Sequence, residues 1–129
     1  MPATFLDTSA IVKLVLHESE SLALVEFLDG QTSVEASELS IAEVGRAVRR
    51  LAPEFDESEV LDAVTLHRVT ADVLRRAARL QPAGLRTLDA IHLATALSNG
   101  DGDTQVVTYD ERFAAAARAH GLRVVQPGR

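Results

Sequence analysis

Strand-like segments alternate with helix-like segments along the whole chain, and this alternation is the feature that most constrains the fold. Strands are predicted at residues 3–6, 32–36, 66–69, 105–108 and 123–125, and helices at residues 8–16, 19–28, 40–51, 57–64, 71–80, 87–97 and 112–119. Gly30 and Pro53 mark the ends of the second and third helices. Such alternation predicts a three-layer α/β/α domain with a mainly parallel central sheet.

Length and composition limit the class of protein. The 129 residues suit a single domain covering residues 1–129, and 47% apolar with 25% charged residues is ordinary for a soluble globular protein. No run of about 18 apolar residues is present, so no membrane span is expected. The chain has no cysteine, which excludes disulfides and Cys-based zinc sites. With no secretory leader at the N-terminus, a cytoplasmic location is expected.

Charge gives mixed information about partners. A net charge of -6 argues against indiscriminate binding to nucleic acids. Lys13 is nevertheless the only lysine, and the other twelve basic residues are arginines, which suit phosphate recognition. A GC-rich genome gives the same bias. Arg46, Arg49 and Arg50 cluster on the predicted third helix, where they either guide an RNA backbone or pair with surface acids.

Four acidic residues lie at similar junctions between elements. Asp7 follows the first predicted strand and Asp110 follows the strand at residues 105–108, whereas Glu43 and Asp89 lie in the first turns of helices. If the strands are parallel, these junctions share one edge of the sheet. Carboxylates gathered there repel one another unless a cation neutralises them. Mg²⁺ and Mn²⁺ prefer oxygen ligands, so the pattern predicts metal-dependent phosphate chemistry.

Helix capping is the competing explanation for each acid taken singly. Asp7 and Asp110 each precede a helix, and residues 40–43 and 108–111 fit the capping-box pattern. Asp89 is favoured near a helix N-terminus by the helix dipole. The joint pattern favours a site, because Asp7 follows a strand expected to be central and Asp89 lies in an otherwise apolar stretch.

Three segments and one isolated acid also carry a family resemblance. The segments FLDTS at residues 5–9, LDAIHLATA at 88–96 and VTYDERF at 107–113, together with Glu43, resemble the PIN-domain nucleases. Within that family the chain is similar to VapC-type toxins of bacterial toxin–antitoxin pairs. The resemblance covers nearly the whole chain and implies a PIN-like α/β fold. Glu35 and Glu38 lie close to Glu43 and compete with it for its place in the motif.

The resemblance implies an endoribonuclease that depends on Mg²⁺ or Mn²⁺ and hydrolyses RNA with metal-activated water, leaving 5′-phosphate and 3′-hydroxyl ends. Four residues map onto the family's catalytic, metal-binding acids: Asp7, Glu43, Asp89 and Asp110. Asp7 and Asp89 are expected as direct ligands, and Glu43 and Asp110 as ligands directly or through water. Ser9 and Thr108 are expected to supply hydroxyls that hydrogen-bond these carboxylates.

Partners are implied in the same way. The family resemblance implies an RNA substrate, a cognate antitoxin whose tail covers the acidic groove and places an arginine near the carboxylates, and a homodimer. The helices at residues 19–28 and 40–51 either supply partner surfaces or only cover the sheet. Nothing in the sequence specifies which RNA is cut or where.

The chain lacks residues that two other classes of α/β protein need. A dehalogenase-like phosphatase needs a second Asp two residues after Asp7, where the chain has Ser9, and a receiver domain needs a late lysine. An inactive PIN-like module that only binds RNA or protein stays open as the alternative. His92, three residues after Asp89, either supplies acid–base catalysis or has a structural or supporting role beside the acids, and the second is favoured because metal-activated water needs no histidine base.

Overall fold

The computed structural model describes residues 2–100 and 102–129 of the chain. The strands in this part are β1 (Thr4–Leu6), β2 (Val34–Ser37), β3 (Thr65–His67), β4 (Gln105–Val107) and β5 (Arg123–Val125). The helices are α1 (Thr8–Val15), α2 (Ser21–Asp29), α3 (Leu39–Leu51), α4 (Ser58–Asp62), α5 (Ala71–Arg79), α6 (Thr87–Asn99) and α7 (Glu111–Ala119). None of these helices is long and apolar enough to cross a membrane.

The five strands form one parallel sheet in the order β3-β2-β1-β4-β5. Phe5 at the middle of β1 pairs with Glu35 of β2 on one side and with Val106 of β4 on the other. The prediction of an α/β fold with a mainly parallel sheet is confirmed, and every strand pairing among the described residues is parallel.

The central strands are buried on both faces because helices cover both sides of the sheet. Leu6 and Val107 pack with helices α1 to α4 on one face, and Phe5 and Val106 pack with α6 and α7 on the other. Neighbouring residues of a strand point to opposite faces of the sheet, so one residue of each apolar pair packs against each of the two helical layers. This double burial explains why Phe5 and Leu6 in β1 and Val106 and Val107 in β4 are all apolar.

The strand order changes direction between β1 and β4. From β1 the chain builds outward through β2 and β3 and then crosses to β4 and β5 on the other side. In open parallel sheets, ligands bind outside the carboxyl ends of the strands at such a switch point. Asp7 follows β1 and Asp110 begins α7 after β4, so both acids lie at this position.

The capping-box interpretations of residues 40–43 and 108–111 are wrong. Helix α3 begins at Leu39, whose backbone N–H donates to Ser37 Oγ at 3.1 Å, so the helix is already started when Ser40 is reached. The buried Ser40 hydroxyl has no hydrogen-bond partner in the described part of the chain. Asp110, rather than Thr108, is the N-cap of α7.

One of the three clustered arginines on α3 pairs with an acid. Arg49 Nη2 donates to Glu57 Oε1 at 2.8 Å and to the carbonyl oxygen of Phe55 at 2.7 Å. Arg46 and Arg50 are exposed on the same helix. The surface-acid interpretation therefore holds for Arg49.

Candidate active site

Asp7 is a buried acid whose two carboxylate oxygens both accept hydrogen bonds. Oδ1 accepts from Ser9 Oγ at 2.6 Å and from the Ala10 backbone N–H at 3.1 Å, and Oδ2 accepts from Thr108 Oγ1 at 2.5 Å. Only 5% of the residue is exposed. Burial raises the pKa of Asp7 to about 6, against the lowering effect of the Ser9 and Thr108 hydrogen bonds. The protein thus fixes this carboxylate in place while making its charge costly.

Two hydroxyl groups tie the loop after β4 to the start of α1. Thr108 Oγ1 accepts from the Asp110 backbone N–H at 3.1 Å while donating to Asp7. Ser9 Oγ accepts from the Tyr109 backbone N–H at 2.9 Å and lies 3.3 Å from Thr108 Oγ1. The side chain of Asp110 caps α7 by accepting from the Phe113 N–H at 3.0 Å. Asp7 and Asp110 are therefore held in one hydrogen-bonded unit.

Glu43 is held by residues from two other helices. Its Oε1 accepts from Thr8 Oγ1 at 2.7 Å and lies 2.5 Å from His92 Nε2. His92 is 1% exposed, and its Nδ1 has no hydrogen-bond partner within the described residues. An unpartnered buried N–H is the costlier arrangement, so we assign the proton to Nε2, which donates to Glu43. Burial opposes ionisation of Glu43, but the His92 and Thr8 hydrogen bonds outweigh it and lower its pKa.

Asp89 lies in the first turn of α6 and is influenced by the charges of the other acids. Its side chain is 25% exposed, and its Oδ2 lies 3.8 Å from Arg86 Nε. Burial is the largest cause of its raised pKa, followed by the negative charge of Asp110, with a smaller contribution from Glu43. Arg86 and His92 act in the opposite direction. The negative charges of Asp110 and Glu43 therefore work against ionisation of Asp89.

The four acids group in two pairs. Asp7 and Asp110 are joined through Thr108, whereas Glu43 and Asp89 line a shared cavity of about 290 Å³. Within residues 2–100 and 102–129, no three His, Cys, Asp or Glu side chains are close enough to hold one metal ion as they stand. The carboxylates are therefore gathered in one region but not closed around a single point.

The two acids that compete with Glu43 in the sequence lie elsewhere. Glu35 on β2 contacts His67 Nε2 at 2.5 Å and accepts from Ser33 Oγ. Glu38 accepts from the Val69 backbone N–H at 2.8 Å. Both therefore face β3 and the segment after it, and Glu43 is the one of the three that contacts α1 and α6.

The donor set suits a hard divalent cation. All four acids offer carboxylate oxygens, the ligands that Mg²⁺ and Mn²⁺ prefer. The raised pKa values of Asp7 and Asp89 show that their charged forms are disfavoured in the metal-free protein. A bound cation would reverse that preference, so the residues fit the group that the sequence predicts.

Two residues of the site were not singled out from the sequence. Thr8 donates to Glu43, and Arg86 is the basic side chain nearest Asp89. Arg86 precedes Asp89 by three residues at the start of a helix, so i,i+3 spacing was an available signal. The contact of Thr8 spans 35 positions and carries no local signal. The contact of His92 with Glu43 agrees with the structural or supporting role expected for this histidine.

Comparisons with known proteins agree with this geometry. The PIN domain family matches residues 4–119 of the chain. Ribonuclease VapC35 of Mycobacterium tuberculosis is 43% identical over 130 residues, covering 96% of each chain. Ribonuclease VapC46 of the same species is 42% identical over 129 residues, covering 98% of this chain and 99% of the relative.

Solved structures show the same fold. Mycobacterium tuberculosis VapC20, described as a Sarcin-Ricin loop cleaving toxin, superposes with a TM-score of 0.76 at 20% identity, covering 97% of this chain and 100% of that one. FitAB bound to an IR36 DNA fragment gives a TM-score of 0.69 at 20% identity, covering 98% and 96%. The chain belongs to the PIN-domain family. Within it, the chain is a ribonuclease toxin of the VapC type, and the inactive-module alternative is not favoured.

Proposed function

We propose that this ribonuclease hydrolyses RNA phosphodiester bonds with Mg²⁺ or Mn²⁺ held by four carboxylates from four separate elements: Asp7, Glu43, Asp89 and Asp110. The observation that supports the proposal is that Asp7 and Asp110 follow β1 and β4 at the switch point and are joined through Thr108, while Glu43 and Asp89 line one cavity. The negative charges of Asp110 and Glu43 raise the pKa of Asp89, so without a cation the ionised form of Asp89 is unfavourable in the fold. A metal ion bound by these acids would offset the repulsion between them.

The residues have distinct tasks in this proposal. Asp7, Glu43, Asp89 and Asp110 would hold the metal ion, which would polarise the scissile phosphate and lower the pKa of the attacking water. Ser9 and Thr108 hold the carboxylate of Asp7 in a fixed orientation. Thr8 and His92 both occupy Oε1 of Glu43, which leaves Oε2 without a hydrogen bond among the described residues. That oxygen is available for the metal or for its bound water.

The biological context is proposed from the VapC relatives. We propose that the toxin acts in the cytoplasm on an RNA, leaving 5′-phosphate and 3′-hydroxyl ends. A cognate antitoxin would cover the acidic groove with its tail, and an arginine of that tail would pair with the carboxylates. We further propose that the toxin is a homodimer.

A cleavage assay with matched variants tests the catalytic proposal. Purified protein is incubated with RNA in Mg²⁺, in Mn²⁺ and in EDTA, and the same assay is run on Asp7→Asn, Glu43→Gln, Asp89→Asn and Asp110→Asn. We expect cleavage only with metal, and a loss of at least 100-fold in each variant. Asp72→Asn is the control, because Asp72 occupies the first turn of α5 and its side chain is 94% exposed. Metal-independent cleavage, or full activity of Asp7→Asn, would contradict the proposal.

A growth assay tests the antitoxin. The chain is expressed in a bacterial host with and without the open reading frame adjacent to its gene. We expect growth to stop without that partner and to resume with it, and we expect Asp7→Asn to be harmless in both cases. Unimpaired growth with the wild-type chain alone would count against a toxin while leaving the nuclease assay to stand by itself.

A further inference from the structure

A second cavity opens beside the acidic one, and the proposed chemistry does not use it. Its volume is about 570 Å³, and it lies between α7 and the segment that leads into α6. That volume falls within the range of small-molecule sites, roughly 300–1,000 Å³. The acidic cavity holding Glu43 is about 290 Å³. The two cavities share Arg86 and Asp89 in their walls.

The sequence of α7 creates one wall of this cavity. Arg112, Ala115, Ala116 and Ala119 follow an i, i+3, i+4, i+7 spacing, which places them on one face of the helix. Three of the four are alanines, so the helix presents a flat apolar surface without protruding side chains. Leu85 and its neighbours in the segment before α6 supply the facing apolar wall. The result is a slot suited to a flat, weakly polar group.

The charges of the cavity lie at its two arginines and at the shared acid. Arg86 is a poor partner for Asp89, because their closest atoms are 3.8 Å apart and the Arg86 side chain is 72% exposed. Exposed ion pairs of this kind stabilise little, so Arg86 can turn toward another anion at small cost. Arg112 is exposed on α7 at the same cavity. A ligand in the slot therefore lies beside two arginines as well as Asp89.

We propose that this cavity binds the base of an RNA nucleotide next to the scissile phosphate, while Arg86 and Arg112 contact the flanking backbone phosphates. A nucleotide matches both features, since it joins a flat base to an anionic group within one residue. Arg86 and Asp89 line both cavities, so a base in the slot places its phosphate within reach of Arg86 and close to Asp89. This inference rests on the proposed function, because it assigns that site its substrate contact.

Binding measurements with a cavity-filling variant test the assignment. The probe is a set of 5′-fluorescein hexaribonucleotides, followed by anisotropy in Mg²⁺ on Asp7→Asn protein so that the RNA is not cut. Adding Ala115→Leu and Ala119→Leu fills the slot, and both positions are exposed in α7, so the core is not disturbed. We expect RNA binding about tenfold weaker, as for the loss of one base contact. Ala71→Leu, at an exposed position of α5 outside this cavity, is the control and should bind normally.

A scan with abasic nucleotides distinguishes the loss of one base contact from a general loss of RNA affinity. One abasic nucleotide is moved through the hexamer, and we expect Asp7→Asn to lose about tenfold in affinity at a single position. The cavity-filled protein should show no such position, because its slot no longer receives a base. Arg86→Gln should weaken all hexamers and reduce the slope of log K against log salt by about one.

Unchanged affinity in the cavity-filled protein overturns the inference, and so does an abasic profile that is the same in both proteins. If the cavity instead receives a side chain of a partner protein, the RNA affinity of the cavity-filled protein would be unchanged. Absence of hexamer binding by Asp7→Asn overturns it as well. Cleavage by protein without the Asp7 change is measured in parallel, and lack of metal-dependent cleavage there overturns the proposed function separately.

Discussion

His92 Nε2 lies 2.5 Å from Glu43 Oε1, although the two residues are 49 positions apart in the chain. The contact connects α6, which also carries Asp89, to α3. Since His92 is almost fully buried, its ring cannot move without repacking its surroundings. One helix thus carries both an acid of the site and the residue that orients another.

We expect His92→Leu to lower cleavage 10- to 100-fold by releasing Glu43, the usual range for residues that orient metal ligands. The measurement is the Mg²⁺ concentration that gives half-maximal activity, which should rise. His67→Leu is the matched control, because His67 makes a similar 2.5 Å contact with Glu35 away from the acids. Its metal dependence should stay at the wild-type value even if its melting temperature falls. Equal effects of the two substitutions would mean that His92 acts only through stability.

The Thr108 hydroxyl hydrogen-bonds to both Asp7 and Asp110, and we expect the cleavage rate to depend on it. Thr108→Val removes the donor to Asp7 Oδ2 and the acceptor for the Asp110 N–H, so we expect activity to fall by about tenfold or more. Thr108→Ser restores a hydroxyl and should recover most of the rate. Thr95→Val is the control, because the buried Thr95 hydroxyl donates only to the Ile91 carbonyl of its own helix. A fully active Thr108→Val enzyme would remove Thr108 from the site.

The raised pKa of Asp7 predicts how stability changes with pH. In the folded metal-free protein the pKa is about 6, against the ordinary value of 3.8, so the folded state binds more protons between these values. The free energy of unfolding therefore falls as pH rises through that window, by at most about 3 kcal/mol. Asp7→Asn lacks this contribution.

Urea unfolding of both proteins in EDTA, at matched ionic strength and at pH 4, 5, 6 and 7, measures the effect. The stability of the wild type relative to Asp7→Asn should decrease from pH 4 to pH 6 and then level off. Saturating Mg²⁺ should flatten or reverse the decrease, because metal binds the deprotonated acid. A difference that is independent of pH would show that the carboxylate titrates in its ordinary range.

Metal binding is expected to stabilise the folded protein. A ligand at 100 times its Kd adds about 2.7 kcal/mol if only the folded state binds it, which raises the melting temperature by several degrees. Potassium chloride at the same ionic strength is the control for screening. Asp89→Asn should lose the Mg²⁺ response without being less stable in EDTA, because the substitution removes repulsion from Asp110. An unchanged wild-type melting curve in millimolar Mg²⁺, or a destabilised Asp89→Asn, would indicate that these acids only stabilise the starts of their helices.

Much of the fold was predictable from local pattern. The apolar runs around Phe5 and Val106 predicted buried strands, and the intervening helices required a parallel sheet. The predicted ends of the elements were less accurate. Helix α3 begins at Leu39, whose N–H donates to the Ser37 hydroxyl, a contact that the capping-box pattern did not reveal. Competition among short-range hydrogen bonds, rather than the overall pattern, sets such boundaries.

The sequence by itself determined which residue types follow each strand, and with them a set of acids that a parallel sheet collects at one edge. Tertiary structure decided which side chains each acid contacts: Glu35 and Glu38 contact β3 and the segment after it, whereas Glu43 contacts Thr8 and His92. It also formed the slot between α7 and the start of α6. The physical reason is that strand and helix periodicities are local, whereas contacts across 35 to 101 positions depend on how whole layers pack.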